Sequence, residues 1–129
     1  MNSGIIVQES IFRKGQEVFT PSGLQIYRFQ DEDEDAILEC QRTTGARCII
    51  IGTNSFSEQF FTSLKPGSLL VRFGVGYENI PVELFKKRNL LAAYTPGTLD
   101  ISVAEHTITL MLCYTRGIIG ASRGINQGN

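Results

Sequence analysis

Leu69-Leu-Val-Arg-Phe-Gly-Val-Gly-Tyr-Glu-Asn-Ile80, with Pro81-Val-Glu-Leu-Phe-Lys-Lys-Arg88 behind it, is the stretch on which the reading of this chain turns. Ser68 to Val71 is a short apolar run bounded by turn residues, the pattern of a buried strand. Gly74-Val75-Gly76 follows, and a loop with two glycines brings backbone N–H groups close to a ligand because no Cβ intervenes. Asn79-Ile80-Pro81 then predicts a helix start, with Asn79 or Ile80 at the cap and proline in the first turn. Strand, glycine loop and helix together are how open α/β folds hold anions at the carboxyl ends of their strands. The same glycines also suit a plain tight turn, and local chemistry alone favours that simpler reading.

The rest of the chain repeats the strand–helix alternation. Gly4-Ile-Ile-Val7 reads as a strand, and Ile11 to Phe19, with Gly15 in the middle, as a short or broken helix. Leu24 to Phe29 alternates apolar and polar residues, the period of a strand with one face covered, and is placed at the sheet edge. Asp31-Glu-Asp-Glu-Asp35 precedes a helical run that closes at Gly45. Five adjacent acids point in different directions and make a poor cation cage, so they are read as a solvated helix start that offsets the helix dipole. Arg47 to Gly52 is β-branched and apolar on both faces, as expected for a central parallel strand. Ser57 to Leu64 predicts a short helix, and Asn89 to Tyr94 a further strand. Alternation of this kind implies a parallel sheet with helices on both faces.

The last segment is different. Ser102-Val-Ala-Glu105 has the pattern of a capping box, and Val103 to Tyr114 is apolar or small almost throughout. A helix that is apolar all round needs burial on several sides, which one domain of 129 residues does not easily supply. The chain beyond Arg116 runs on without another strand and reads as a fragment. The expected division is 1–100 for the sheet domain and 101–129 for this helix and the start of a linker.

Composition narrows the possible functions. Twelve Lys and Arg against thirteen Asp and Glu give a net charge of −1, so no basic field invites nucleic acid or an anionic membrane. No window has the length of a membrane span, and no signal peptide opens the chain. Cys40, Cys48 and Cys113 are an odd number without metal-like spacing, which suggests a reducing, cytoplasmic setting. No metal site is expected. His106 is the only histidine, and its place early in a helix favours packing or surface duty over general-base catalysis. The dinucleotide fingerprint G-x-G-x-x-G is missing: Asn79 stands where the third glycine belongs, and Gly117-Ile-Ile-Gly120 follows a helix, not a strand.

Two segments in this order and spacing, Arg72-Phe-Gly-Val-Gly-Tyr-Glu-Asn-Ile80 and Tyr94-Thr-Pro-Gly-Thr-Leu-Asp-Ile-Ser-Val-Ala-Glu-His-Thr107, resemble the NAD-dependent D-isomer-specific 2-hydroxyacid dehydrogenases. Lys87-Arg88-Asn89 and the run Leu110 to Arg116 are similar to that family as well. The resemblance implies the first part of a flavodoxin-like substrate domain, followed by a long apolar interdomain helix. It implies that Val75 and Gly76 present amides to the substrate carboxylate, that Leu99 lines the substrate pocket, and that Val75, Asp100 and His106 approach NAD or NADP, with Thr107 the alternative to His106. The family's catalytic Arg, Glu and His have no counterpart here and are expected downstream, as is the domain that binds most of the cofactor. The substrate would be a small 2-hydroxy or 2-oxo acid, the partner a second copy joined through one helix over 102–120, and the fragment by itself inactive. The other readings are a non-catalytic interaction module derived from the same scaffold and an inactive truncated product.

Overall fold

The structure, a computed structural model, describes residues 4–30 and 33–127. They fall into two compact units, Met1–Pro96 and Gly97–Asn129. In the first, β1 (Gly4–Gln8) runs into α1 (Glu9–Lys14), and α2 (Gln16–Phe19) follows across Gly15. A 3-10 turn over Thr20–Ser22 leads to the strand β2 (Gln25–Phe29). Then come α3 (Glu34–Thr44), β3 (Cys48–Ile51), α4 (Glu58–Ser63), β4 (Leu69–Arg72), α5 (Val82–Arg88) and β5 (Leu91–Tyr94). The five strands are all parallel, in the order β2-β1-β3-β4-β5. That is the flavodoxin-like order, with β3 central and β2 at an edge.

The chain moves one way from β1 to β2 and the other way from β2 onward. Right-handed crossovers therefore put α1 and α2 on one face and α3, α4 and α5 on the other. Burial follows this division. Ile6, Ile49, Ile51 and Leu70 join Ile37, Phe60, Phe61 and Phe85 in one core beneath α3–α5. Phe61 meets Phe60 and Phe85 edge-on, with centroids 5.4 and 5.6 Å apart, an arrangement that contributes about 0.5–1.5 kcal/mol per pair beyond burial. On the opposite face Val7 and Ile11 are buried. Ile50 and Val71, in the same register row as Val7, are only half-buried.

Of the acidic run, Asp33 caps α3 by accepting from the Ala36 N–H at 2.9 Å, and Glu34 and Asp35 occupy the first turn. Asp31 and Glu32 lie outside the described residues. Glu34 does more than offset a dipole: its carboxylate accepts from the Ser57 N–H at 2.5 Å and from Ser57 Oγ at 2.6 Å. Gly45, in the left-handed region at φ 73°, ends α3 as its position implies. Burial pushes the Cys40 and Cys48 thiols up from their ordinary range, so neither is an activated nucleophile.

The second unit is two helices, α6 (Asp100–Thr115) and α7 (Ile118–Asn126). Two expectations are corrected here. The helix does not open on a Ser102–Glu105 capping box: it opens at Asp100, with Leu99 at the cap and Ser102 already helical. Asp100 beside the positive helix end stabilises that earlier start. Nor does one helix run to residue 120, because Gly117 adopts φ 63° and separates α7 from α6. None of the residues of α6 is buried, and Ile101 and Tyr114 are 77% and 86% exposed. Among the described residues, no helix is long and apolar enough to cross a membrane.

One buried polar side chain ties α3 to the turn that starts β4. Gln41 Nε2 donates to Ser68 Oγ at 2.8 Å, and its Oε1 accepts from the Lys65 N–H at 2.9 Å. Gln41 and Ser68 are both 1% exposed, so breaking the pair leaves a donor and an acceptor without water. Gln41→Leu is expected to lower unfolding stability by about 1–3 kcal/mol, read as a fall in the urea midpoint at unchanged slope.

Candidate functional site

The strands point their carboxyl ends at one edge of the first unit, and the loop after β4 is its most built-up part. The Phe73 N–H continues the ladder to the Ile51 carbonyl at 2.8 Å, after which the chain leaves the sheet. The Gly74 carbonyl then accepts twice from Thr95, from its N–H and from its Oγ1, each at 3.1 Å. At the far end Asn79 Nδ2 donates to the Asn54 carbonyl at 2.9 Å, and the Ile80 N–H to the Tyr77 carbonyl at 2.9 Å. Asn79 and Ile80 are thus not the helix cap that the sequence implied. Pro81 takes that place, because Asn79 is held by the β3 loop and Ile80 is buried in the core.

Beneath the neighbouring loop lies a second polar node. Gln8, 1% exposed at the end of β1, accepts at Oε1 from the Gly52 N–H at 2.5 Å and donates from Nε2 to Asn54 Oδ1 at 2.9 Å. Gln8 therefore fixes the β3 loop, and Asn54 passes that constraint to Asn79. Tyr77 and Tyr94 pack against one another, with centroids 5.1 Å apart. With Ile80, Val82, Ala92 and Ala93 they line an apolar hollow of about 260 Å³.

The electrostatics centre on Arg72. Its side chain folds back beneath Gly74, so that a Cβ at Gly74 would fall on the guanidinium, and Gly74 itself sits at φ 154°. The positive φ favours glycine there, and any side chain would also have to displace the end of Arg72. Arg72 Nε is buried with no hydrogen-bond partner, and among the described residues no carboxylate pairs with this guanidinium. Nor, among them, do the backbone N–H groups of Gly74, Val75 and Gly76 donate to another group. The buried Nε–H of the half-buried Arg72, beside amides with no protein acceptor among the described residues, leaves a set of donors that an incoming acceptor would satisfy. The chemistry of this donor set suits a carboxylate.

Val75 and Gly76 stand in this loop beside Arg72. Arg72 is the residue the sequence reading passed over, since an arginine ending an apolar strand carries no signal of whether it is paired. Leu99, Asp100 and His106 belong to the second unit: Leu99 caps α6, Asp100 opens it, and His106 is exposed within it. At about 100° per residue, Thr107 shares the face of Asp100 to within about 20°, whereas His106 stands about 120° away. The loop between β4 and α5 has Asn79 where a third glycine would stand, and Gly117 lies between two helices, so among the described residues neither has the fingerprint of a pyrophosphate loop. Among them, no group of three or more His, Cys, Asp and Glu is placed to hold a metal ion.

Comparison with known proteins bears on the family and the fold. D-3-phosphoglycerate dehydrogenase from Sus scrofa is 25% identical over 125 residues, covering 96% of this chain and 23% of that protein. Among solved structures, the 2-hydroxyacid dehydrogenase of Ketogulonicigenium vulgare Y25 superposes with a TM-score of 0.78 at 24% identity, over 99% of this chain and 40% of that one. An acyclic imino acid reductase in complex with NADPH and D-arginine superposes with a TM-score of 0.71 at 18% identity, over 98% of this chain and 41% of that one. The chain thus spans under half the length of each. The family model of the D-isomer specific 2-hydroxyacid dehydrogenase catalytic domain matches residues 5–124, and the chain belongs to that family.

Proposed function

We propose that this chain supplies the carboxylate-holding part of an active site that interconverts small 2-oxo and D-2-hydroxy acids, with NAD or NADP as redox partner. The observation that carries the reading is the unpaired Arg72 guanidinium beneath a loop whose Gly74, Val75 and Gly76 amides have no acceptor. Arg72 would neutralise the substrate carboxylate, and the amides of Val75 and Gly76 would orient it, leaving C2 turned away from the loop. Leu99 would line the pocket. Asp100 and His106 would approach the cofactor along α6, with Thr107 the alternative on the face that Asp100 shares. Most of the dinucleotide would be held by residues outside this chain, and so would the general acid–base group, since the only histidine here is an exposed residue of α6.

The apolar surface of α6 and α7 is the support for two further parts of the reading. Ile101, Met111, Tyr114 and Ile125 are all at least 63% exposed, more than a soluble surface of this size leaves without a partner. We assign it to a homodimer contact and to packing between domains of the parent enzyme. The same surface favours a second reading, in which the scaffold is a non-catalytic interaction module. Its three unpaired cysteines suit a reducing compartment.

Replacing Arg72 with Gln, which keeps a polar amide but is shorter and removes the charge, is expected to weaken glycolate binding by about 10- to 100-fold, the range of a lost charge-assisted bond. Chemical-shift titration of the Gly74 and Gly76 amides measures this; equal affinity in both proteins would refute the carboxylate reading. The chain alone is expected to oxidise no NADH with glyoxylate, pyruvate or hydroxypyruvate, and turnover in that assay would contradict the division of labour. Sedimentation is expected to show concentration-dependent association that Met111→Glu abolishes, whereas a clean monomer at every concentration would remove the support for a dimer.

A further inference from the structure

One row of the sheet's core ends on a small residue. Ile6, Ile49 and Leu70 stand in register under α3–α5, and the next position, on the edge strand β5, is Ala92. A methyl there leaves open the space that a leucine or isoleucine would fill, and Ala92 is exposed. The result is the apolar hollow of about 260 Å³ that Ala92 lines with Ile80 and Val82 from the entry to α5. Tyr77 and Tyr94 line it too and are 50% and 40% exposed, so ring surface is left for an occupant. Both tyrosines are tied to the glycine loop. Tyr77 follows Gly76 directly. Tyr94 precedes Thr95, whose N–H and Oγ1 hold the Gly74 carbonyl. Tyr94 is also the register partner of Arg72, and register partners project from the same face of a sheet. The hollow therefore begins where the carboxylate loop ends. From Tyr94 to Ala92 it follows β5 for two residues, about 6–7 Å, a span that accommodates a benzyl group. Its volume is below the roughly 300 Å³ at which small-molecule pockets begin, so it suits one side chain of a ligand and not a cofactor.

We infer that the acid held by the glycine loop carries an aromatic group on C3, and that this group seats in the hollow against Tyr77 and Tyr94. The inference rests on the carboxylate reading and names its substrate class: aryl-substituted 2-oxo and D-2-hydroxy acids, such as phenylpyruvate and D-phenyllactate. An aromatic occupant is favoured over an alkyl chain by the two rings themselves. They lie tilted at 53° with centroids 5.1 Å apart, and a third ring joins such a pair offset or edge-on at about 4.5–7 Å.

D-phenyllactate and D-lactate, which differ only in the phenyl group, are the probes, titrated separately into this chain while the Gly74 and Gly76 amides are followed by NMR. D-phenyllactate is expected to bind about 10- to 100-fold more tightly, the range for taking a phenyl group out of water. Its ring protons are expected to show NOEs to the Ala92 methyl and to the rings of Tyr77 and Tyr94. Ala92→Phe, which fills the hollow from an exposed edge position, is expected to remove most of the preference, and the NOEs test the seat independently of how that variant folds. Equal affinity for the two acids in the native chain overturns the substrate class and leaves the carboxylate reading standing. Tighter binding without those NOEs, or a preference that persists in Ala92→Phe, overturns the hollow as the seat. If neither acid moves the Gly74 and Gly76 amides, the carboxylate reading falls and the substrate class with it.

Discussion

The guanidinium of Arg72 folds under Gly74 instead of extending into water, and the loop above it takes its shape from that placement. Residue 74 turns at φ 154°, a conformation that favours glycine, and the bare Cα leaves the guanidinium its place. The turn carries the chain off the sheet, and its carbonyl is caught by Thr95 from the neighbouring strand. The Gly74, Val75 and Gly76 amides are left without acceptors among the described residues. A buried Nε–H without a partner opposes folding, so the sheet and its core have to carry that cost together.

They do so with an economy typical of doubly wound sheets. The rows Ile6, Ile49, Leu70 and Gln8, Ile51 are closed over by α3, α4 and α5, and buried amides bridge the elements where apolar contact ends. Gln41 joins α3 to the start of β4, and Gln8 joins the ends of β1 and β3. The same two residues define the two ends of the sheet. Gln41 stabilises the amino end, and Gln8 organises the carboxyl end, where the glycine loop stands.

Much of this was legible in the sequence because it rests on period and punctuation. Ile49 to Ile51 announced a central strand, the alternation from Leu24 an edge strand, and Gly15 and Gly45 a break and an end. Capping was less legible. Ser102 and Glu105 have the spacing of a box, but Asp100 starts the helix first, and Asn79 looks like a cap while its amide is spent on the β3 loop. Such errors arise because one polar side chain can serve either its own helix or a distant backbone, and only the fold decides. Arg72 was invisible for a related reason: a strand-terminal arginine is usually paired, and pairing is a property of what surrounds it in space. The family motifs pointed to Val75 and Gly76 without naming the charge beneath them.

The two bonds from Thr95 to the Gly74 carbonyl carry a consequence for how ligands arrive. With one end of the loop fastened to β5 and the other to Asn54 through Asn79, the amides already stand in place before any acid binds. Association then has little chain to order, and its entropy cost falls mainly on the ligand itself. On the proposed reading the loop would act as a fixed receptor, so evolution could alter what the acid's far end meets without re-teaching this end how to grip.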